Sequence, residues 1–338
     1  MASTKSRAHL APAAIAAAWT DLWAQLHAGH GAFGRAHTQT LVVLAHQPSE
    51  ALDATITQVS QSHPGRVVVL YLSRRAAAAD HVALCGSPEV GLGSELVAVT
   101  ADAPVADHWA ELVLPLLLPD VPVYLFVADD EVLDTPELAG LVETVDHVVL
   151  DTARLDRPWE PWRPLFQHEG DLGLLDLAWI RTAGWREALA VAFDPEPCLA
   201  LLDTLASVTV AGSQAGSALW LAAWLANRLD YRPDAGSGAG RWSRRHRPPV
   251  AFTFERRPRG GLDRITLGFD GAEAVVRHGD GTVLAEVRRG STRLATAELP
   301  RVGRDTAPQL SAALAEGFDP LFADAFRWLE LAYPGEAP

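Results

Sequence analysis

The hydrophobic positions change their spacing twice along the chain, and each change predicts a change of structure. Up to about residue 150, short continuous apolar runs alternate with amphipathic stretches. The runs are Thr40–Ala45 (TLVVLA), Arg66–Leu72 (RVVVLYL), Ser94–Thr100 (SELVAVT), Val121–Val127 (VPVYLFV) and His147–Leu150. Continuous β-branched runs predict strands covered on both faces. His81–Leu84 predicts a short added strand. Between the runs, Ser49–Gln61 predicts a helix capped by Ser49, with Leu52, Ile56 and Val59 on one face. Val105–Leu118 predicts a helix kinked at Pro115, and Thr135–Thr144 another. Pro12–His27 carries Ile15, Trp19, Leu22 and Leu26 in one helical stripe. Strand, helix, strand within about 30 residues is a βαβ unit. Residues 37–155 therefore predict a Rossmann-like open α/β sheet, preceded by an N-terminal helix and linker over 1–36.

The second pattern is helical. Asp151–Asp171 is rich in Pro and Trp and predicts a domain-crossing linker. Asp176–Asp194 (DLAWIRTAGWREALAVAFD) predicts a short extended run, a turn at Ala183-Gly184, then a helix with Trp185, Ala188, Leu189, Ala192 and Phe193 on one face. Asp194-Pro195 stops it, because a residue before proline is pushed out of the α region. A strand at Val208–Val210 and a helix over Gln214–Leu229 complete a central helical region over 156–235. The third pattern follows the Gly/Pro/Arg-rich stretch Arg232–Pro249, which predicts a mobile connection. From 248 to 338 the period becomes two. Strands at Val250–Glu255, Arg264–Phe269, Ala274–Arg277, Thr282–Arg288 and Arg293–Leu299 predict an antiparallel meander. A closing helix over Ser311–Leu331, broken at Gly317 and Asp319-Pro320, would cover one face.

Composition adds a globular core (49% hydrophobic, 21% charged) and a net charge of −14, which argues against wholesale nucleic-acid binding. The charge is uneven. Arg241–Arg304 holds fourteen Arg against seven Asp and Glu, so an acidic body carries a basic C-terminal segment. Two cysteines in so long a chain make no disulfide framework and suggest a reducing compartment. No apolar run approaches the roughly 20 residues of a membrane span. LAPAAIAAAW, after Lys5 and Arg7, continues a helical stripe and is too alanine-rich for a signal peptide. A cytoplasmic protein is expected.

Candidate chemistry is sparse. The turn after the first strand reads His46-Gln47-Pro48-Ser49, without the glycines of a dinucleotide fingerprint. No phosphate-loop, zinc-protease or nucleophile-elbow motif occurs. His27, His30 and His37 match no metal-ligand spacing. No cofactor, no metal and no catalytic residue are predicted. Asp129-Asp130-Glu131 follows a strand end, where α/β sheets place ligands, and reads either as a site or as an acidic loop. Cys85, in a predicted loop, is either a small buried residue or a redox-sensitive thiol. Arg241, Arg244, Arg245 and Arg247, with Arg256, Arg257, Arg259 and Trp242, read either as a dock for an acidic partner, phosphate or nucleic acid, or as a solvated linker.

Asp176, Leu177, Trp179, Arg181, Trp185, Arg186 and Glu187 carry a family resemblance. They match the D-L-N-W…R…T-P-W-R-E pattern of the glucose-6-phosphate dehydrogenase assembly proteins (OpcA). Ala178 stands where that family tends to have Asn, and Ala183-Gly184 where it tends to have Thr-Pro. These departures remove a helix cap and a pre-set first turn, and Thr182 is the expected substitute cap. The SALWLAAWLANRL run resembles the family's second recurring helix. The resemblance implies a non-enzyme that binds glucose-6-phosphate dehydrogenase and promotes its active oligomer, so supporting NADPH output from the oxidative pentose phosphate pathway. It also implies that Arg181 and Arg186, framed by Trp179 and Trp185, form or support the partner surface. The competing reading of these residues is two core tryptophans and two arginines bonded internally. The alternative function is a sugar-phosphate or nucleotide enzyme using the α/β crevice.

Overall fold

The computed structural model describes residues 4–6, 12–30, 34–35, 37–72, 81–87, 92–100, 109–133, 135–168, 172–301, 303, 305–317 and 319–334. Two compact units share the chain. The first takes Met1–Asp151, Pro164–Leu175 and Asp305–Phe318, and the second Thr152–Arg163, Asp176–Arg304 and Asp319–Pro338.

The first unit is built on the apolar runs. In chain order its elements are β1 (Thr4–Ser6), α1 (Pro12–His30), β2 (Gly34–Arg35), β3 (Thr40–Ala45), α2 (Glu50–Ser62), β4 (Arg66–Tyr71), β5 (His81–Ser87), β6 (Leu92–Thr100), α3 (Trp109–Val113), β7 (Val123–Val127), α4 (Pro136–Val142), β8 (His147–Leu150) and β9 (Gly173–Asp176). They make one sheet in the order β1-β5-β6-β4-β3-β7-β8-β9, with β2 beside β6. The central pairs β6–β4, β4–β3, β3–β7 and β7–β8 are parallel, and β5 is antiparallel to β6. Every residue of β3 and β7 is buried, as a strand covered on both faces requires. Ser49 caps α2 as expected, its Oγ accepting from Leu52 N–H at 3.2 Å. The helix expected to kink at Pro115 instead ends at Val113 and continues as a 3-10 turn over Leu114–Leu116, while residues 101–108 of that stretch lie outside the described residues. There Leu118 N–H bonds Thr40 Oγ1. Beneath α1, the buried Glu95 accepts from Trp23 Nε1 at 3.0 Å and Arg66 Nε at 3.0 Å.

The second unit begins with α5 (Leu177–Arg181), α6 (Ala183–Phe193), α7 (Glu196–Leu199), β10 (Ser207–Gly212) and α8 (Ala215–Arg228). It continues with β11 (Arg232–Pro233), β12 (Arg241–Ser243), β13 (Val250–Arg256), β14 (Leu262–Phe269), β15 (Ala272–His278), β16 (Thr282–Arg289) and β17 (Thr292–Pro300). The sheet order is β11-β12-β13-β10-β14-β15-β16-β17. The antiparallel meander is present from β14 to β17, with Gly271 and Gly290 taking positive φ in its two-residue connections. The strand expected to open the meander, β13, does not pair with β14. Between them lies β10, parallel to β13 and antiparallel to β14. The segment expected as a separate central helical region thus supplies an inner strand of the C-terminal sheet. That strand is continuous and apolar at its C-terminal half, so it needs cover and partners on both sides.

The closing helix is broken where expected, into two helices. Gly317, at φ +68°, ends α9 (Thr306–Glu316), and Asp319 caps α10 (Pro320–Ala332) by accepting from Leu321 N–H. In the first unit α9 packs on α2, and Leu314 O accepts from Tyr124 Oη. In the second, α10 packs on α8. The Arg232–Pro249 stretch, expected to be mobile, is ordered into β11, a 3-10 turn and β12 around Trp242, which is fully buried and donates to Ala239 O. A buried indole with its N–H satisfied anchors the backbone on either side. No helix among the described residues is long and apolar enough to cross a membrane.

Candidate functional site

The signature stretch forms around one buried carboxylate, Asp176, whose place in the family pattern was visible in the sequence but whose role was not. Asp176 is 1% exposed. Its Oδ1 accepts from Ala178 N–H at 2.7 Å and so caps α5; its Oδ2 accepts from Thr152 Oγ1 at 2.6 Å and Trp162 Nε1 at 2.9 Å. Thr152 Oγ1 in turn accepts from Trp220 Nε1 on α8. The expected extended run after Asp176 is therefore helical, because this cap satisfies its first turn. Thr182 does not act as a side-chain cap; its hydroxyl donates back to Trp179 O. An Asp placed just before a helix start was the available signal.

The four named residues divide between two environments of the second unit. Trp179 is 3% exposed; its Nε1 donates to Asp319 Oδ2 at 2.7 Å and its ring lies against Phe322. Arg186 stacks over that ring, with its guanidinium carbon 3.6 Å from the centroid, and its Nη1 is 3.8 Å from Asp319 Oδ2. A guanidinium held over an indole and beside a carboxylate pins α6 to the start of α10. Trp185 is also buried and meets His278 edge to face at 4.8 Å. Neither indole is open to a partner, so what they contribute to any surface is the placement of α5 and α6. Arg181 is half-buried and lines an open pocket with Trp185, Gln214, Ser217, His278 and Arg301.

In the first unit, the crevice beyond the strand ends is acidic. Asp129 Oδ2 accepts from His46 N–H at 2.8 Å, and Glu131 lies 3.5 Å from His46 Nδ1. The carboxylate occupies the donor a phosphate would use, and the helix start beyond it is already capped by Ser49. Cys85 lies within β5 and not in a loop, and burial pushes its thiol up. That lowers the thiolate fraction a redox switch needs. Cys198 is buried in α7 and shifted the same way. Among the described residues no group of three or more His, Cys, Asp or Glu is placed to hold a metal ion. Of the basic stretch, Arg241 pairs with Asp234, Arg244 with Asp230 and Arg247 with Asp203, while Arg245 is exposed without an ion pair among the described residues. Local pairing cancels most of the charge that would attract an acidic partner.

With this geometry in view, two domain families match the chain, both from the glucose-6-phosphate dehydrogenase subunit known as OpcA. Residues 172–326 match its C-terminal domain, and residues 56–164 match its N-terminal, assembly domain. The chain belongs to the OpcA glucose-6-phosphate dehydrogenase assembly family. The C-terminal match begins at the strand that leads into Asp176 and takes in all four signature residues. In this member of the family Ala178 forgoes a side-chain cap, and the cap comes from Asp176 instead. Solved structures with a similar fold include an aldose–aldose oxidoreductase from Caulobacter crescentus, with 11% identity and TM-score 0.49 over 88% of this chain and 97% of that one. A UDP-N-acetylglucosamine 3-dehydrogenase from Acidithiobacillus ferrooxidans has 13% identity and TM-score 0.46 over 88% and 96%. A biliverdin reductase from Synechocystis has 10% identity and TM-score 0.45 over 87% and 96%. No curated protein sequence matches the chain.

Proposed function

We propose that this protein is a non-catalytic assembly factor that binds glucose-6-phosphate dehydrogenase and favours its active oligomer. On this reading it supports NADPH formation in the oxidative pentose phosphate pathway. The observation that carries the reading is the family match over both units. The acidic crevice of the first unit supports a non-catalytic role, since its turn has no glycines and Asp129 and Ser49 already hold the His46 and Leu52 N–H groups. The signature helices α5 and α6 are the proposed partner side, with Trp179, Trp185 and Arg186 holding them in place. Activation would be a population shift: the factor binds the active form of the enzyme better than the inactive one. A tenfold shift needs about 1.4 kcal/mol of differential affinity, within reach of a few well-placed side chains.

The test is a titration of the purified protein into the dehydrogenase of the same host, following NADP reduction and sedimentation together. The rate should rise to a plateau as a faster-sedimenting complex forms, and the protein alone should give no turnover with glucose 6-phosphate and NADP. An unchanged rate with no complex would refute the assembly role. Turnover by the isolated protein at enzymatic rates would restore the enzyme alternative.

A further inference from the structure

The pocket beside the signature helices is built from residues far apart in sequence, and its chemistry is one-sided. Arg181, from α5, and Arg301, just past β17, face it with His278 at the end of β15. Among the described residues no Asp or Glu lines it, and none pairs with Arg301. Like charges gathered around a concavity with no acid in its lining leave a positive potential that an anion would relieve.

The start of α8 opens into the same space. Gln214 precedes a helix of 14 residues and makes no side-chain cap, and the first turn holds no acidic residue. Gly216 N–H goes to Ala153 O, but the N–H groups of Ala215 and Ser217 have no acceptor within the helix. A helix start of this kind presents donors and the positive end of the dipole to an anion. Ser217 supplies the independent observation. It is fully buried, it lines the pocket, and its hydroxyl has no hydrogen-bond partner. Buried hydroxyls are seldom left unbonded, because the loss of water is then uncompensated.

The site is also held in shape before any ligand arrives. Ser213 N–H donates to Gly261 O, and Gly261 N–H donates to Ser213 Oγ, tying the turn before α8 to the start of β14. Trp162, Thr152 and Trp220 brace the helix from behind through Asp176. Such preorganisation lowers the cost of binding. The pocket is an open concavity, with Trp185 and Leu262 on its apolar side.

We infer that this pocket binds the phosphate group of a small phosphorylated metabolite. Arg181 and Arg301 take the phosphate oxygens, and the α8 N-terminus and Ser217 Oγ donate from the inner wall. All of these residues come from one chain, so the protein alone binds.

Calorimetric titration of the full chain with inorganic phosphate and with glycerol 3-phosphate, at constant ionic strength in chloride, tests this. Saturable binding of both is expected. The Arg181→Ala/Arg301→Ala double variant should weaken it at least about tenfold, the loss typical of removing charge-assisted bonds. Ser217→Ala should weaken it about threefold while its melting temperature stays level or rises, since only an unbonded hydroxyl is lost. Ser217→Ala decides the matter if the double variant does not fold. Absence of saturable binding by the wild type, unchanged affinity in the folded variants, or a preference for succinate over both phosphates would each overturn the assignment.

Discussion

Two helix starts in this protein follow the same plan and end in opposite chemistry. In the first unit β3 runs into a four-residue turn and then α2; in the second, β10 runs through Ser213 and Gln214 into α8. Both strands are inner strands of their sheets. The first is the place where open α/β sheets bind their ligands. Yet Ser49 closes its helix, Glu50 and Asp53 sit in the first turn, and Asp129 holds His46 N–H. The second lies in a mostly antiparallel sheet, with no cap, no acid in its first turn and two arginines beside it. Strand–turn–helix geometry supplies the dipole; the side chains around it decide whether an anion is welcome.

The comparison can be broken most violently at Gly216. A Cβ there would run into the backbone carbonyl of Thr152, which cannot move aside as a flexible side chain would. Gly216→Ala should cost about 3 kcal/mol, read from the shift in denaturant midpoint. Gly140→Ala, on the open side of α4 in the first unit, should instead gain about 1 kcal/mol from helix propensity alone. Equal effects at the two positions would show that the α8 start is not held against the Thr152 segment.

A subtler change would turn the second helix start into a copy of the first. Gln214→Asp adds a cap and a negative charge to α8. It should stabilise the unit by about 1 kcal/mol and reduce phosphate affinity at least about tenfold. The reciprocal change, Ser49→Ala, should cost about 1 kcal/mol and bring no phosphate binding, since Asp129 remains. Phosphate affinity that survives Gln214→Asp would mean that the helix start takes no part in the pocket.

The smallest effect separates the units by pH. In the first unit burial holds the imidazoles of His147 and His63 below their ordinary value, with weaker opposing contributions from Asp146 and from a bond involving Ser311. His147 also stacks on Tyr124 at 4.5 Å, and its Nδ1 is buried without a partner. The folded state then binds fewer protons than the unfolded state. Stability is complete above about pH 6.5, the unperturbed histidine value, and is lost as pH falls from there through the folded values. Thermal unfolding between pH 7.5 and pH 5 should show this loss, and His147→Leu should flatten part of it. A variant with the wild-type slope would remove His147 from the account.

Much of the first unit was readable because its signals are local. Val67–Leu70 is a continuous β-branched and apolar run, and Ser49 three residues before Leu52 is a cap within one turn. Neither needs a distant partner to be recognised. Tryptophans and arginines in the signature stretch stood out too, but not their roles. Trp179 and Arg186 depend on Asp319, 140 residues further on from the tryptophan, and Asp176 depends on Thr152, Trp162 and Trp220. A Pro/Trp-rich stretch read only as a domain-crossing linker and a Gly/Arg-rich stretch as a mobile connection, because the burial of their indoles, Trp162 and Trp242, leaves no local signal.

Periodicity, caps and turn residues thus determined the elements themselves, since a strand or a helix answers to neighbours a few residues away. Pairing answers to something else. Whether β10 joins β13 and β14, or Arg181 meets Arg301 and Ser217, depends on which buried surfaces close over one another. Contacts of that range cost loop entropy and leave no local spacing to read. The strands and helices of this protein were written along the chain, while the positive pocket beside α8 came into being only when the chain had folded.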